Sequence, residues 1–258
     1  MRTNGSVLAD AVRLSAGTLT VLPVPAPRNL GSRVAALAMA LAPVVVLPVA
    51  AAAAAAGWAL EAGDAPPLLT AALVVAVLAL GSGALHLDGL SDTADGLAVQ
   101  GDRGRRLEVM RRGDVGPAGV AALVLVLLVQ VAALASVAAS RDAESLAATL
   151  CLAVVCSRAV LALGCARGVR AARTDGLGNA VAGSVPATLV VLVLGAVVLV
   201  AGLVDHWRGV VGVAAAVIVA AVVLATARHR LGGVTGDVLG ACVELALAGY
   251  LVSQVLAP

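Results

Sequence analysis

Apolar positions in this chain fall in long unbroken runs, not in the alternating or three-and-four spacing of half-buried elements. Seven stretches are almost wholly apolar: 34–60, 66–85, 117–139, 145–165, 185–204, 209–227 and 238–257. Each is close to or above the roughly 20 residues that a helix needs to cross the hydrocarbon of a bilayer. The pattern predicts an all-α fold, a polytopic helical bundle of about seven membrane-spanning helices in one membrane-embedded domain over residues 1–258. The first stretch is overlong and carries Pro43 and Pro48, so a kink or tilt is expected there, while its alanine run at 50–56 favours helix. Ahead of it, residues 6–20 read as a weakly amphipathic helix at the membrane surface, with Leu8, Ala11, Val12, Ser15 and Leu19 on one side. An irregular lead-in ending at Pro23, Pro25 and Pro27 fits the same residues. Arg13, Ser15, Thr18 and Thr20 interrupt any secretory apolar region, so no signal peptide is expected.

Composition sharpens the first part of this reading. Apolar residues make up 61% of the chain and charged residues 12%. Soluble domains have about 45–50% apolar and about 25% charged residues, so a water-soluble globule is excluded. All 17 basic residues are arginine, a compositional skew and not a sign of function. The net charge of +2 is too small to imply nucleic acid as a partner. The placement of arginine says more. With the amino terminus in the cytoplasm, Arg2, Arg13, Arg28, Arg33, Arg103, Arg105, Arg106, Arg111, Arg112, Arg167, Arg170, Arg173, Arg228 and Arg230 all fall inside, and only Arg141 and Arg208 fall outside. Arg158 lies within the fourth stretch. An odd helix count then puts the carboxyl terminus outside and leaves cytoplasmic loops at 86–116, 166–184 and 228–237. Cys151, Cys156, Cys165 and Cys242 lie in apolar stretches without CxxC spacing or nearby histidine, and read as small core residues. No segment specifies an oligomeric state.

Candidate chemistry concentrates in residues 86–116, HLDGLSDTADGLAVQGDRGRRLEVMRRGDVG, the longest polar segment. Asp88, Asp92 and Asp95 are spaced four and three apart and share a face within about 60° if the segment is helical. Like charges at that spacing repel. Such a face calls for a cation, and a set of oxygen ligands favours Mg²⁺ or Mn²⁺ over zinc; a solvated acidic face is the plainer alternative. His86 is expected to project away from the aspartates as an interface histidine. Gly89 and Gly96, each costing about 1 kcal/mol in a helix relative to alanine, hint at close approach by a neighbour. Arg103, Arg105, Arg106, Arg111 and Arg112 follow, and guanidinium forks suit phosphate oxygens. From the other two loops come Arg173, beside a glycine-leucine-glycine turn at 176–178, and Thr235 and Asp237 ahead of the last stretch. Glu244, two turns into that stretch, needs a partner such as Ser, Thr or Arg158.

These residues predict a diphosphate site in which Asp88, Asp92, Asp95 and Asp237 hold Mg²⁺, and Arg103, Arg106, Arg173 and Thr235 bind substrate. With no activated nucleophile in the loops, direct in-line transfer is expected, with Asp95 first and His86 second as general base. The residues alone also admit an intramembrane prenyltransferase, a CDP-alcohol phosphotransferase or a cation transporter. The second Asp-rich loop of the first and the aspartate array of the second are not reproduced. The third calls for charges near the membrane midplane, whereas polar residues here gather in the loops.

The segments HLDGLSDTADGL (86–97), DRGRRLEVMRRGDVGPAG (102–119), ARTDGLG (172–178), GGVTGDVLGA (232–241) and TLTVLPVP (18–25) resemble the bacterial cobalamin synthases, the adenosylcobinamide-GDP ribazoletransferases. The resemblance implies a Mg²⁺-dependent enzyme of the plasma membrane, multi-pass, working at the cytoplasmic face. Its substrates would be adenosylcobinamide-GDP and α-ribazole or its 5′-phosphate, and it would release GMP in the last assembly step of vitamin B12.

Overall fold

The computed structural model describes residues 4–256, so Arg2 and the carboxyl-terminal Pro258, both used in the orientation argument, lie outside the described residues. The described residues form twelve α-helices joined by turns and short extended segments, and all four cysteines are free.

Helix α1 (Asn4–Leu19) packs on α2 (Ser32–Ala40). Its buried face carries Ala11, Leu14, Ser15, Ala16 and Leu19, whereas Leu8 and Val12 are exposed. The face is rotated from the one expected because Asp10 turns inward. The Asp10 carboxylate accepts the Arg28 backbone N–H at 3.0 Å and pairs with Arg13 at 3.3 Å, which fastens the strand-like arm after α1 to the helix.

The first predicted span is three helices: α2, α3 (Ala42–Val45) and α4 (Leu47–Ala62). Pro43 and Pro48 sit in the first turns of α3 and α4. A proline lacks the N–H that would continue the preceding helix and its ring clashes with the carbonyl one turn back, so the chain restarts at each. The second predicted span also ends early. Helix α5 (Pro67–Gly81) stops at Ser82, and positive φ at Gly83 (61°) and Ala84 (57°) turns the chain by 90° into α6 (Leu85–Ala98). The expected loop 86–116 is therefore mostly helix: α6, then α7 (Arg103–Arg112), whose start is capped by the Asp102 carboxylate accepting the Arg105 N–H at 2.9 Å.

Helices α8 (Pro117–Ser140) and α9 (Ala143–Gly164) match two predicted spans. After a loop holding the short α10 (Gly176–Val181), α11 (Ala187–Leu231) contains two more, 185–204 and 209–227, and folds back between them at Asp205 and His206, where the backbone leaves helical geometry. The reversal is tight, with Gly209 lying against the Ala201 backbone. Helix α12 (Gly236–Leu256) completes the chain. Among the described residues four helices are long and apolar enough to cross a membrane, or five if α5 and α6 are one bent span. This count takes α11 once although it folds back on itself and holds two of the predicted stretches, and it leaves out the proline-divided first stretch, so about seven spans remains compatible with the fold. Helices α9 and α12 run through the core, with 72% of their apolar windows buried, against 22% and 17% for α8 and α11. The chain is thus an all-α, multi-pass membrane protein, with α9 and α12 as its inner wall.

Candidate active site

Helix α6 lies across the first turns of α8 and α12. Its approach to α12 depends on Gly89: a Cβ there would sit 2.7 Å from the Asp237 carbonyl oxygen. Gly96 similarly lies against Met110 and the Arg106 carbonyl, so both glycines are close-approach positions, as their helix cost suggested. From the other side, the loops at 166–184 and 228–237 are stitched together by backbone. Ala172 N–H donates to Val234 O at 2.8 Å, and Val234 N–H donates to Arg170 O at 2.9 Å. The turn at 176–178 then rests on the start of α12, with a Gly178 Cβ position 2.6 Å from Thr235 Cα.

This packing brings part of the expected constellation together. Arg173 extends Nη1 to within 3.6 Å of Asp237 Oδ2 and donates from Nη2 to Leu107 O at 3.0 Å, and its buried Nε has no partner. Thr235 caps α12, accepting the Val238 N–H at 3.2 Å and donating to Asp237 Oδ2 at 3.1 Å. Asp92 is buried in α6, and its carboxyl is pushed up to about 6, first by burial and then by the charges of Asp88, Asp237 and Asp95, with Arg173 opposing. Asp88, Asp92 and Asp237 therefore share one electrostatic neighbourhood. A cavity of about 210 Å³ opens beside them, lined by Asp88, Arg173, Thr235 and Asp237 among others.

Other expected site residues have different tasks. Both carboxylate oxygens of Asp95 accept backbone N–H groups at the start of α8, from Gly116 at 2.7 Å and Gly119 at 2.9 Å. Helix α8 begins Gly116-Pro117 and has no cap of its own, so Asp95 caps it from α6. Asp95 thus serves as the helix cap of α8. Arg106 is buried and donates to Leu97 O at 2.6 Å and Gly96 O at 3.3 Å, closing the end of α6, while Arg103 donates to Ala172 O at 2.7 Å. In each, one guanidinium nitrogen meets backbone carbonyls, and neither residue lines the cavity. Arg105 and Arg112 flank the exposed Glu108 and hold its carboxyl below the usual range, and Arg111 forms a bidentate pair with Asp175.

His86 does line the cavity. It is 4% exposed, its Nδ1 has no partner, and burial, with help from the Arg158 charge, pulls its pKa to about 3. A neutral imidazole of that kind is a weak base. Deeper in the bundle, Glu244 accepts from Gln130 Nε2 at 2.9 Å, not from the partners expected, and Arg158 donates to Ser157 Oγ at 2.8 Å. Sequence reasoning missed Thr18, Leu19 and Met39, which reach the cavity from α1 and α2. Only the motif at 18–25 pointed toward that region.

Among the described residues no three His, Cys, Asp or Glu side chains stand together as a complete metal-binding group. The donors present suit a hard cation nonetheless. Mg²⁺ commonly takes only one or two protein carboxylates and keeps waters and substrate phosphates for the rest, and crowding that raises Asp92 is relieved by a positive charge.

The chain matches the family described as cobalamin-5-phosphate synthase over residues 11–255. It is 46% identical to the adenosylcobinamide-GDP ribazoletransferase of a Nocardioides species, across 95% of this chain and 98% of that one. It is 39% identical to the protein of that name from Frankia casuarinae, across 91% and 90%. With its counterpart from Pseudomonas savastanoi the identity is 40%, across 74% and 77%. No solved structure matches the chain. With nearly its whole length matched in family order, the chain belongs to the cobalamin-5-phosphate synthase family.

Proposed function

We propose that the chain transfers the adenosylcobinamide phosphate moiety of adenosylcobinamide-GDP to α-ribazole or its 5′-phosphate, forming the corresponding cobalamin and releasing GMP. The observation that carries this reading is the crowding of Asp88, Asp92 and Asp237 beside Arg173 at the edge of a cavity, in a member of this family. A diphosphate brings clustered negative charge, and the site offers one guanidinium fork and a set of carboxylates that ask for a cation. Mg²⁺ held by one or two of Asp88, Asp92 and Asp237, with waters for the remaining positions, would neutralise the diphosphate oxygens. Arg173, fixed by Leu107 O, orients a phosphate oxygen through its unpartnered Nε.

The step is a direct displacement. A ribose hydroxyl oxygen of the acceptor bonds to the phosphorus that carries cobinamide, the bond from that phosphorus to the GMP oxygen breaks, GMP leaves with the electron pair, and the hydroxyl proton passes to solvent. Phosphoryl transfer through a loose transition state asks for positioning and charge neutralisation more than for a strong base. That suits a site in which neither Asp95 nor His86 is placed to act as one. The arginine bias supports a cytoplasmic position for this end of the bundle. The experiment is GMP release from adenosylcobinamide-GDP by the purified protein in detergent with α-ribazole and Mg²⁺; no release under any metal condition overturns the proposal. A cation transporter would release no GMP.

A further inference from the structure

The cavity beside Asp88 has two unlike walls. One is apolar and deep, made by Leu19 of α1, Met39 of α2, Leu161 of α9 and Leu239 of α12, each only 2–3% exposed. The other is polar and rimmed by exposed groups, Asp88 and Asp175, with Arg173, Thr235 and Asp237 behind them. His86 stands in the lining, buried, with Nδ1 unpartnered. A buried polar nitrogen without a partner costs stability unless something supplies the missing hydrogen bond.

Size restricts what that partner can be. Pockets for drug-sized ligands run to about 300–1,000 Å³, and this one is about 210 Å³. It can enclose an aromatic base while the attached sugar stays at the polar mouth, but it cannot enclose a corrin macrocycle. We infer that the cavity is the acceptor site: it takes a nucleoside with an uncharged aromatic base. The base packs between Leu19, Met39, Leu161 and Leu239 with a hydrogen bond from His86, and the ribose hydroxyls face Asp88, Thr235 and Asp237. The bulky nucleotide-activated corrinoid then lies outside the rim, and its diphosphate meets the acceptor hydroxyl at Arg173. This order of binding surfaces brings apolar α1 and α2 into substrate recognition, a role otherwise unexplained for an amino-terminal helix. The identity of the acceptor rests on the proposed function; the placement of a base in the apolar half rests on the cavity itself.

The test is equilibrium binding of α-ribazole to the full-length protein in detergent, without corrinoid, together with KM for each substrate. Met39→Phe fills the apolar half. It should raise the Kd for α-ribazole at least tenfold while leaving KM for adenosylcobinamide-GDP within twofold. An unchanged Kd, or a rise confined to the corrinoid KM, overturns the inference. If Met39→Phe does not fold, Met39→Ala answers the same question by enlarging the space. One methylene in an apolar pocket is worth roughly 10–200-fold in discrimination, so Met39→Ala should shift preference between ribosides of a smaller and a larger aromatic base by about tenfold toward the larger, and no shift overturns the inference. Wild-type protein that binds α-ribazole in a Met39-dependent way but releases no GMP would support this site and overturn the transfer reaction separately.

Discussion

The two ends of the helical bundle both hold buried charge, and they treat it in opposite ways. At the end where α8 finishes, Arg141 donates from Nη1 to both oxygens of Asp205 at 3.2 and 3.1 Å and to Thr149 Oγ1 at 2.7 Å, and from Nη2 to Gln254 Oε1 at 3.0 Å. Gln254 passes the network on to Arg208 O at 3.1 Å. Four elements meet in that cluster: the turn after α8, the start of α9, the reversal of α11 and the end of α12. About 36 Å away along α8, taking 1.5 Å per residue over its 24 residues, the other end crowds Asp88, Asp92 and Asp237 around a single guanidinium that approaches one of them at 3.6 Å. Satisfied networks rigidify a fold; unsatisfied ones of like charge store repulsion that a ligand can release. The first end is a clamp, and the second is the proposed site.

Breaking each end should therefore have opposite consequences for stability. Arg141→Ala strips a largely buried pair of one partner and leaves Asp205 without its cation, a change worth about 3–5 kcal/mol when the group left behind is buried. With the Arg141 side chain 9% and that of Asp205 19% exposed, the lower part of that range is expected. Thermal melting in detergent should show a large drop, with KM for both substrates unchanged in the protein that remains folded. A melting curve like wild type would mean that the clamp is ornamental. Asp92→Asn should do the reverse. It removes one of the crowded charges, so the metal-free protein should melt at or above the wild-type temperature, while GMP release falls about 100-fold, the upper range for lost metal-ligand support. Wild-type activity with an unchanged Mg²⁺ requirement would refute the assignment.

Asp95 separates structural from catalytic acid within the site end itself. Asp95→Asn keeps one acceptor oxygen for the α8 amides, whereas Asp95→Ala keeps none, and loss of a helix cap costs about 0.5–2 kcal/mol. Stability should fall in the order Asn then Ala. The apparent Mg²⁺ affinity should move far less than in Asp92→Asn. If Asp95→Asn lowered Mg²⁺ affinity as much as Asp92→Asn does, Asp95 would be a ligand despite its two amide donors.

The contrast between these two aspartates marks how far the sequence is readable. Their spacing on one face of a helix is local, and periodicity alone puts Asp88, Asp92 and Asp95 together. What divides them is non-local: the start of α8 lands against Asp95, while the start of α12 lands near Asp92. A trace of this was present, since Gly116-Pro117 opens a helix with no capping side chain and so needs a cap from elsewhere. The same division runs through the arginines. Their number is legible, but which guanidinium meets a backbone carbonyl is not: Arg103 reaches Ala172 O only because loop 166–184 comes beside α7, and Arg106 reaches Leu97 O only because α7 turns back on the end of α6. Hydropathy located the apolar stretches because burial in lipid is a property of composition. It did not show where Pro43, Pro48 and the 82–84 elbow would cut them, nor that Met39 and Leu19 would line a cavity, because those depend on angles between helices.

The site end should also be distinguishable by its response to pH, provided that opposing signs are kept apart. Folded Asp92 has a pKa near 6 against an ordinary 3.8. Between those values the folded state holds a proton that the unfolded state has released, so stability from this group is present below about 4 and lost as pH rises through 6. His86 runs the other way. With its pKa lowered from 6.5 to about 3, the unfolded state binds the extra proton, so its contribution grows as pH rises toward 6.5. The two slopes offset in the wild type, and the raw pH profile of metal-free melting should be shallow. The informative quantity is the difference between wild type and Asp92→Asn, because the variant keeps only the histidine slope and should gain stability over wild type from about pH 4 to about pH 6 and level off above. Mg²⁺ gives a second reading of the same group. A cation binds the ionised carboxylates, so added Mg²⁺ should raise the wild-type melting temperature at pH 7.5 and do little at pH 5. Equal increments at the two pH values would place Mg²⁺ on the always-ionised surface acids instead of at Asp92, and would leave the arginine clamp as the better understood of the two ends.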